Sequence, residues 1–207
     1  MSSRTSAKPS RIDGRRLRSE RTKQLIMEAF LALLRESSTM PTAAQIAERA
    51  GYSVRSIFER FPDLDALRVA TVDYSLAQSA ALAPARNVDG DRQTRIRSQV
   101  ETRAGTCERG IALWRVFLFN VEESEELKLR LRIARQRTID RFEIMYRPEL
   151  STLPDVERKY MLIALEALTD MESWARMREF FGLSFADACA VWIHAIDRML
   201  PPTPKAQ

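Results

Sequence analysis

The chain has 207 residues, 45% of them hydrophobic, with only six glycines and a formal net charge of +5. That composition describes a folded, helix-rich globular protein and excludes a disordered or fibrous chain. No apolar run reaches the roughly 18 residues of a membrane span, and Ser and Arg fill the N-terminus where a secretory signal needs an apolar core, so the expectation is a cytoplasmic protein with no membrane partner.

The charge is unevenly placed. Residues 1–23 hold eight basic side chains against Asp13 and Glu20, whereas the remainder holds 25 basic against 26 acidic. Residues 1–18 read as a basic, flexible arm able to neutralise phosphates. Residues 1–14 read equally well as a solvated tail. After the arm, Leu25, Ile26, Ala29, Phe30, Leu33 and Leu34 recur at helical spacing and predict a first helix over residues 19–36. Pro41 breaks it. Thr42 then caps a second helix, with Gln45 three residues on completing a capping box, and Gly51 closes it where a positive φ is needed. Ser53 caps a third helix to residue 61, whose Val54, Ile57, Phe58 and Phe61 can pack while Arg55, Ser56, Glu59 and Arg60 stay open. A helix, a tight turn and a second short helix in a basic chain predict a helix-turn-helix for the DNA major groove.

Asp63 caps a fourth helix to about residue 83, and residues 84–91 form the clearest loop. Residues 93–120 predict one long helix or two, split at Gly105 or Gly110, with a bulky, deeply buried second half. Ser124 caps a helix to residue 146, residues 148–154 break the chain, and two last helices follow over 155–181 and 185–200. The last is apolar nearly all round. Such a terminal helix predicts a subunit interface, a symmetric four-helix bundle built with Leu168, Met171, Ala175, Ala188, Val191, Trp192 and Ala195.

Chemistry is hard to find. Cys107 and Cys189 are far apart and lack a second metal-spaced ligand, and His194 has no nucleophile or carboxylate beside it. Neither a nucleophile–base pair nor a phosphate-binding glycine loop appears, so the expectation is no enzyme, no cofactor and no metal.

These residues resemble the TetR family of transcriptional regulators. Ile46-Ala47, Ala50-Gly51, Ile57, Phe61 and Leu67 fall at that family's spacing, and Gly182-Leu183-Ser184 is similar to the turn joining its last two helices. The resemblance implies an all-α fold of about nine helices: a helix-turn-helix domain over residues 19–67, a ligand-binding and dimerisation domain over 68–200, and a tail over 201–207. It further implies a homodimer on a palindromic operator in double-stranded DNA, acting as a repressor released by a small, mainly apolar effector, and associated with the nucleoid when bound. Arg21, Thr42, Tyr52, Ser53, Val54, Arg55, Ser56 and Arg60 are the candidate DNA contacts. Tyr74, Trp114, Phe117, Phe142 and Met171 are candidate pocket walls, although ordinary core packing is the simpler reading of each, because bulky residues at helical spacing mostly just pack. Two positions depart from the family's pattern: Phe58 stands for a phosphate-bonding tyrosine and Leu64 for a lysine, and Arg55, Arg60 and the arm are expected to compensate. The alternative is a dimeric helical ligand-binding or interaction protein with little specific DNA binding.

Overall fold

The computed structural model describes residues 11–37, 39–121 and 124–205, without the side chains of residues 11–13 and 116–121. The described residues form helices and connecting turns: α1 (Arg11–Glu36), α2 (Ala43–Ala50), α3 (Val54–Phe58), α4 (Leu64–Leu82), α5 (Arg92–Val121), α6 (Glu125–Met145), α7 (Arg147–Leu150), α8 (Asp155–Leu168), α9 (Met171–Ala175) and α10 (Phe185–Met199). The all-α expectation holds, with one more α-helix than the nine foreseen. None of the described helices is long and apolar enough to cross a membrane.

The chain divides into two compact units, residues 1–74 and 75–207, with the boundary inside α4, seven residues beyond Leu67. In the first unit, α1 supplies Ile26, Phe30 and Leu34 to a core completed by Ile46, Ala47, Ile57, Phe61 and Leu67. Local signals define its element ends. Gln45 Oε1 accepts from the Thr42 amide at 2.8 Å and Thr42 Oγ1 accepts from the Gln45 amide at 3.3 Å, the full capping box. Gly51 adopts φ 73°, and its amide closes the end of α2 on the carbonyl of Glu48. Asp63 Oδ1 accepts from the Ala66 amide at 2.7 Å to start α4.

α1 begins at Arg11, eight residues earlier than foreseen, so residues 11–18 are helix and not flexible arm. Residues 1–10 of the expected arm lie outside the described residues. Arg15, Arg16, Arg18 and Arg21 are all exposed on this N-terminal extension.

The second unit is organised on α5, which contributes Ile96, Val100, Ala104 and Cys107 to a core shared with Phe142, Tyr146, Leu165, Trp174, Trp192 and Ile196. Neither Gly105 nor Gly110 splits it. Gly110 instead permits a close approach: a Cβ there would come within 2.8 Å of Met171 Cε, so the helix runs on while α9 packs against its bare backbone. The expected break at residues 148–154 contains the one-turn helix α7, which carries Glu149 into the interior. The penultimate helix is not continuous. Thr169 ends α8, Asp170 accepts from the Ser173 amide at 2.6 Å to start α9, and α9 passes into a π-helical turn, Arg176–Phe180. The restart is possible because Arg103 on α5 donates to the Thr169 carbonyl at 2.8 Å, satisfying a group that a continuous helix would have bonded itself.

Two ion-pair systems tie this unit together. Arg95 is 2% exposed, and its two Nη atoms donate to the two Glu149 carboxylate oxygens at 2.8 and 2.6 Å. Its remaining donors reach the carbonyls of Gly90 (3.0 Å) and Met145 (2.6 Å), and Thr203 also donates to Glu149. Beside it, Arg92 Nε donates to Asp197 Oδ1 at 2.7 Å, clamping the end of α10.

The apolar α10 is explained mainly within the chain. Ala188 and Trp192 are fully buried in the second unit's core, Ala175 is buried, and Leu168, Met171 and Ala195 are at least half-buried. Of the seven foreseen interface residues only Val191 is exposed. Apolar side chains left exposed in the second unit include a stripe on α8, Val156, Tyr160 (65% exposed) and Ile163, Phe180 and Phe181 after α9, and Val191 on α10. A helix rich in apolar residues on several sides does not reveal in sequence which side its own core takes.

Candidate DNA-reading surface

α3 is short, and its presentation follows from a single anchoring side. Ile57 is fully buried and Phe61 nearly so. With these fixed, helical periodicity leaves Val54, Arg55, Phe58 and Glu59 outward, all exposed. Phe58 was expected to pack; at 44% exposed it stands instead on the open face. Ser53 Oγ accepts from the Ser56 amide at 3.1 Å, and the two hydroxyls lie 3.0 Å apart, so both are committed first to capping. Thr42 is exposed with its hydroxyl inside the α2 capping box.

Three candidate contacts differ in role. Arg55 is 88% exposed, and its Nε donates to Glu59 Oε1 at 3.0 Å, an i,i+4 pair along the helix. That pair holds the guanidinium along the outer face and places an acidic group beside it. Arg60 is turned back: Nη1 donates to the Ser56 carbonyl at 3.0 Å, capping the end of α3, with Glu59 Oε2 at 3.6 Å. That bond commits Nη1 to the backbone of its own helix end. Tyr52 is half-buried, and its hydroxyl lies 3.4 Å from that of buried Thr22, which tethers the turn to α1. Arg21 is exposed, as a phosphate contact requires. The outward group is thus Arg21, Thr42, Ser53, Val54, Arg55 and Phe58. Glu59 is the participant that the sequence reading left unassigned, although its four-residue spacing from Arg55 was a legible signal.

The candidate pocket walls are not brought together. Tyr74 belongs to the first unit, where its hydroxyl donates to Glu28 Oε1 at 2.6 Å. This bond, and then one from Gln24, hold the Glu28 carboxyl below its ordinary value. Phe142 is fully buried and stacks on Tyr146 with ring centroids 5.8 Å apart, so it is core. Trp114 donates to Glu172 Oε1 at 3.1 Å, and Met171 covers Gly110. Phe117 lies on α5, but its side chain is outside what the structure describes. The described cleft in the second unit, about 430 Å³, is not apolar either: Arg86, Arg97, Arg109 and Glu101 are among its lining residues.

Fold and surface together define a two-unit, all-α protein with an N-terminal helix-turn-helix. No protein-family model matches the sequence, and no curated protein does. Solved structures do match. A transcriptional regulator from Rhodococcus sp. Rha1 superposes with a TM-score of 0.70 at 15% identity, covering 88% of this chain and 99% of its own. A TetR-family transcriptional regulator from Streptomyces coelicolor gives 0.70 at 14% identity over 87% of this chain and 80% of its own. A TetR transcription regulator from Haloarcula marismortui gives 0.69 at 16% identity over 87% and 96%. The chain has the fold of the TetR-family transcriptional regulators.

Proposed function

We propose that the protein is a DNA-binding transcriptional regulator of the TetR type, not an enzyme, that works as a homodimer in the cytoplasm and responds to a small effector held by the second unit. The observation that carries this reading is α3, anchored from one side by Ile57 and Phe61 and presenting Arg55 and Phe58 outward, with four exposed arginines on the first half of α1. Arg55 is read as a base contact through guanine O6 and N7, and Phe58 and Val54 as apolar contacts to thymine methyls. The α1 arginines neutralise phosphates, which makes affinity steeply salt-dependent. The open stripe of Val156, Tyr160, Ile163 and Val191 supports pairing with a second copy, which would relate two reading helices by a two-fold axis. Effector binding would then shift the population between dimers that fit the operator and dimers that do not, with repression as the ground state.

Fluorescence anisotropy with promoter-proximal DNA tests the reading. Arg55→Ala is expected to weaken specific binding by about ten-fold or more, with little change for unrelated DNA. One observation favours the alternative, a helical ligand-binding protein that reads DNA poorly: Glu59 lies against Arg55 and would repel phosphate. Glu59→Gln decides between them. Tighter binding with an unchanged preferred sequence supports the regulator, whereas no sequence-specific binding by either form supports the alternative.

A further inference from the structure

The cleft in the second unit, about 430 Å³, is built from fixed parts. Its floor is α5, where Arg97, Glu101, Gly105 and Arg109 follow one another at four-residue spacing and so share one face. Its rim is the segment after α4, which carries Arg86 and Asn87. Ser98 on α5 donates to the Arg86 carbonyl at 3.0 Å. Asn87 adopts φ 56°, which asparagine tolerates better than most residues, and its carbonyl accepts from the Gly90 amide at 3.0 Å. The Gly90 carbonyl accepts in turn from buried Arg95, also at 3.0 Å. The rim is thereby bonded to α5 on both sides of its turn.

Elsewhere in this unit Arg92, Arg95, Arg103, Arg115 and Arg178 are committed to carboxylates or backbone carbonyls. Among the described residues, Arg86, Arg97 and Arg109 have no such partner, and Glu101, four residues from Arg97, pairs with none of them. Gly105 also lies inside a helix, where alanine would be more stable. The nearest atoms a Cβ there would meet belong to Arg109: Nη1 at 3.2 Å, with Cζ and Nη2 at 3.9 Å. The bare backbone is thus the bed on which the Arg109 guanidinium lies. Three guanidiniums lining one cavity suit the roughly two negative charges and three acceptor oxygens of a phosphate monoester. We propose that the cleft binds a small phosphorylated organic molecule, its phosphate held by Arg86, Arg97 and Arg109 and a hydroxyl of its body by Glu101. The expected mainly apolar effector is thereby replaced by a polar, anionic one. The regulatory consequence rests on the function proposed above; the binding does not.

The test uses the full chain at constant ionic strength, thermal unfolding, and three probes: ribose 5-phosphate, ribose and inorganic phosphate. Wild type is expected to rise in midpoint by about 3 °C or more at saturating ribose 5-phosphate, by less with inorganic phosphate, and not with ribose. Arg97→Gln and Arg109→Gln are each expected to raise the apparent Kd for ribose 5-phosphate about ten-fold. Arg132→Gln, which removes an exposed arginine of α6 outside the cleft, should leave it unchanged. Gly105→Ala is the sharpest variant. Its probe-free midpoint is expected at or above the wild-type value while the apparent Kd rises about five-fold, because the new methyl displaces the Arg109 guanidinium and leaves the fold intact. The assignment is overturned if ribose 5-phosphate does not shift wild type, or if ribose or inorganic phosphate shifts it as much. It is equally overturned if Arg132→Gln weakens binding as much as Arg109→Gln, or if Gly105→Ala binds as tightly as wild type. DNA binding measured on the same samples keeps the two claims separate. A ribose 5-phosphate response that depends on Arg109, in a protein that binds no DNA, overturns the regulator and sustains the phosphate site.

Discussion

The two units cap their helices alike but differ in the charged pairs that join distant segments. In the first, the polar pairs that end one helix and begin the next are local: Thr42 with Gln45, Ser53 with Ser56, Asp63 with Ala66, each three residues apart. In the second, the decisive pairs join distant segments: Arg95 with Glu149 across 54 residues, Trp174 with Glu108 across 66, and Arg92 with Asp197 across 105. A cap changes the stability of one helix end by about 1 kcal/mol, whereas a buried ion pair left with one member carries an uncompensated charge worth about 3–5 kcal/mol. The comparison teaches that the helix ends of the first unit are locally specified pieces, while the second unit depends in addition on a few long-range polar bonds.

The largest effect should come from breaking the second kind of bond. Glu149→Ala is expected to destabilise the second unit by about 3–5 kcal/mol in urea unfolding, because it strands Arg95 in the core. The double change Arg95→Met with Glu149→Leu should recover most of that loss, which separates pairing from burial. Acid should imitate the single change. Burial raises the Glu149 carboxyl, but the bonds from Arg95 and Thr203 outweigh it and hold the group below the ordinary value of 4.5. A carboxyl lowered on folding stabilises fully above its unfolded value, and that contribution is lost as pH falls through the lower folded value. Unfolding midpoints should therefore be level above about pH 5 and fall below it, and the Arg95→Met, Glu149→Leu chain should fall less.

Interface formation should show the next largest effect. If the proposed dimer uses the open stripe of α8, Tyr160→Glu with Ile163→Asp places two charges on it and is expected to give monomer by sedimentation, while Ala195→Ser, on a half-buried position of α10, sediments as wild type. A double variant that sediments as wild type would remove that stripe from the interface.

Local bonds should yield smaller, confined losses. Gly51→Ala puts a Cβ at φ 73° with no atom within 4 Å, so its cost of about 1–2 kcal/mol is backbone strain alone. Thr42→Ala removes the capping box for about 1 kcal/mol. Hydrogen exchange should show both changes in the first unit. Equal loosening of α5 and α10 by either would break the distinction between the units.

The same distinction explains what could be read from the sequence. Thr42, Gly51, Ser53, Asp63 and Ser184 announced helix ends because a cap and its partner lie within one turn. Ile57 and Phe61 announced which side of α3 is anchored, and hence that Arg55 is presented. The interruption at Thr169 was hidden because Arg103, which supplies the carbonyl's partner, lies 66 residues earlier. Arg60 fits a phosphate contact by sequence position, and only the folded chain shows its Nη1 bonded to the Ser56 carbonyl. Phe58 was assigned to the interior since a phenylalanine at helical spacing ordinarily packs, yet a five-residue helix has room for only one buried side.

The central claim is that α3, carrying Arg55, reads a symmetric DNA site. Selection of bound sequences from a random-sequence duplex library by the full chain tests it most directly. The account predicts enrichment of an inverted repeat whose half-sites each contain a guanine that Arg55→Ala no longer selects. Recovery of unselected sequences at the same salt concentration, or of a motif that Arg55→Ala leaves unchanged, would contradict it.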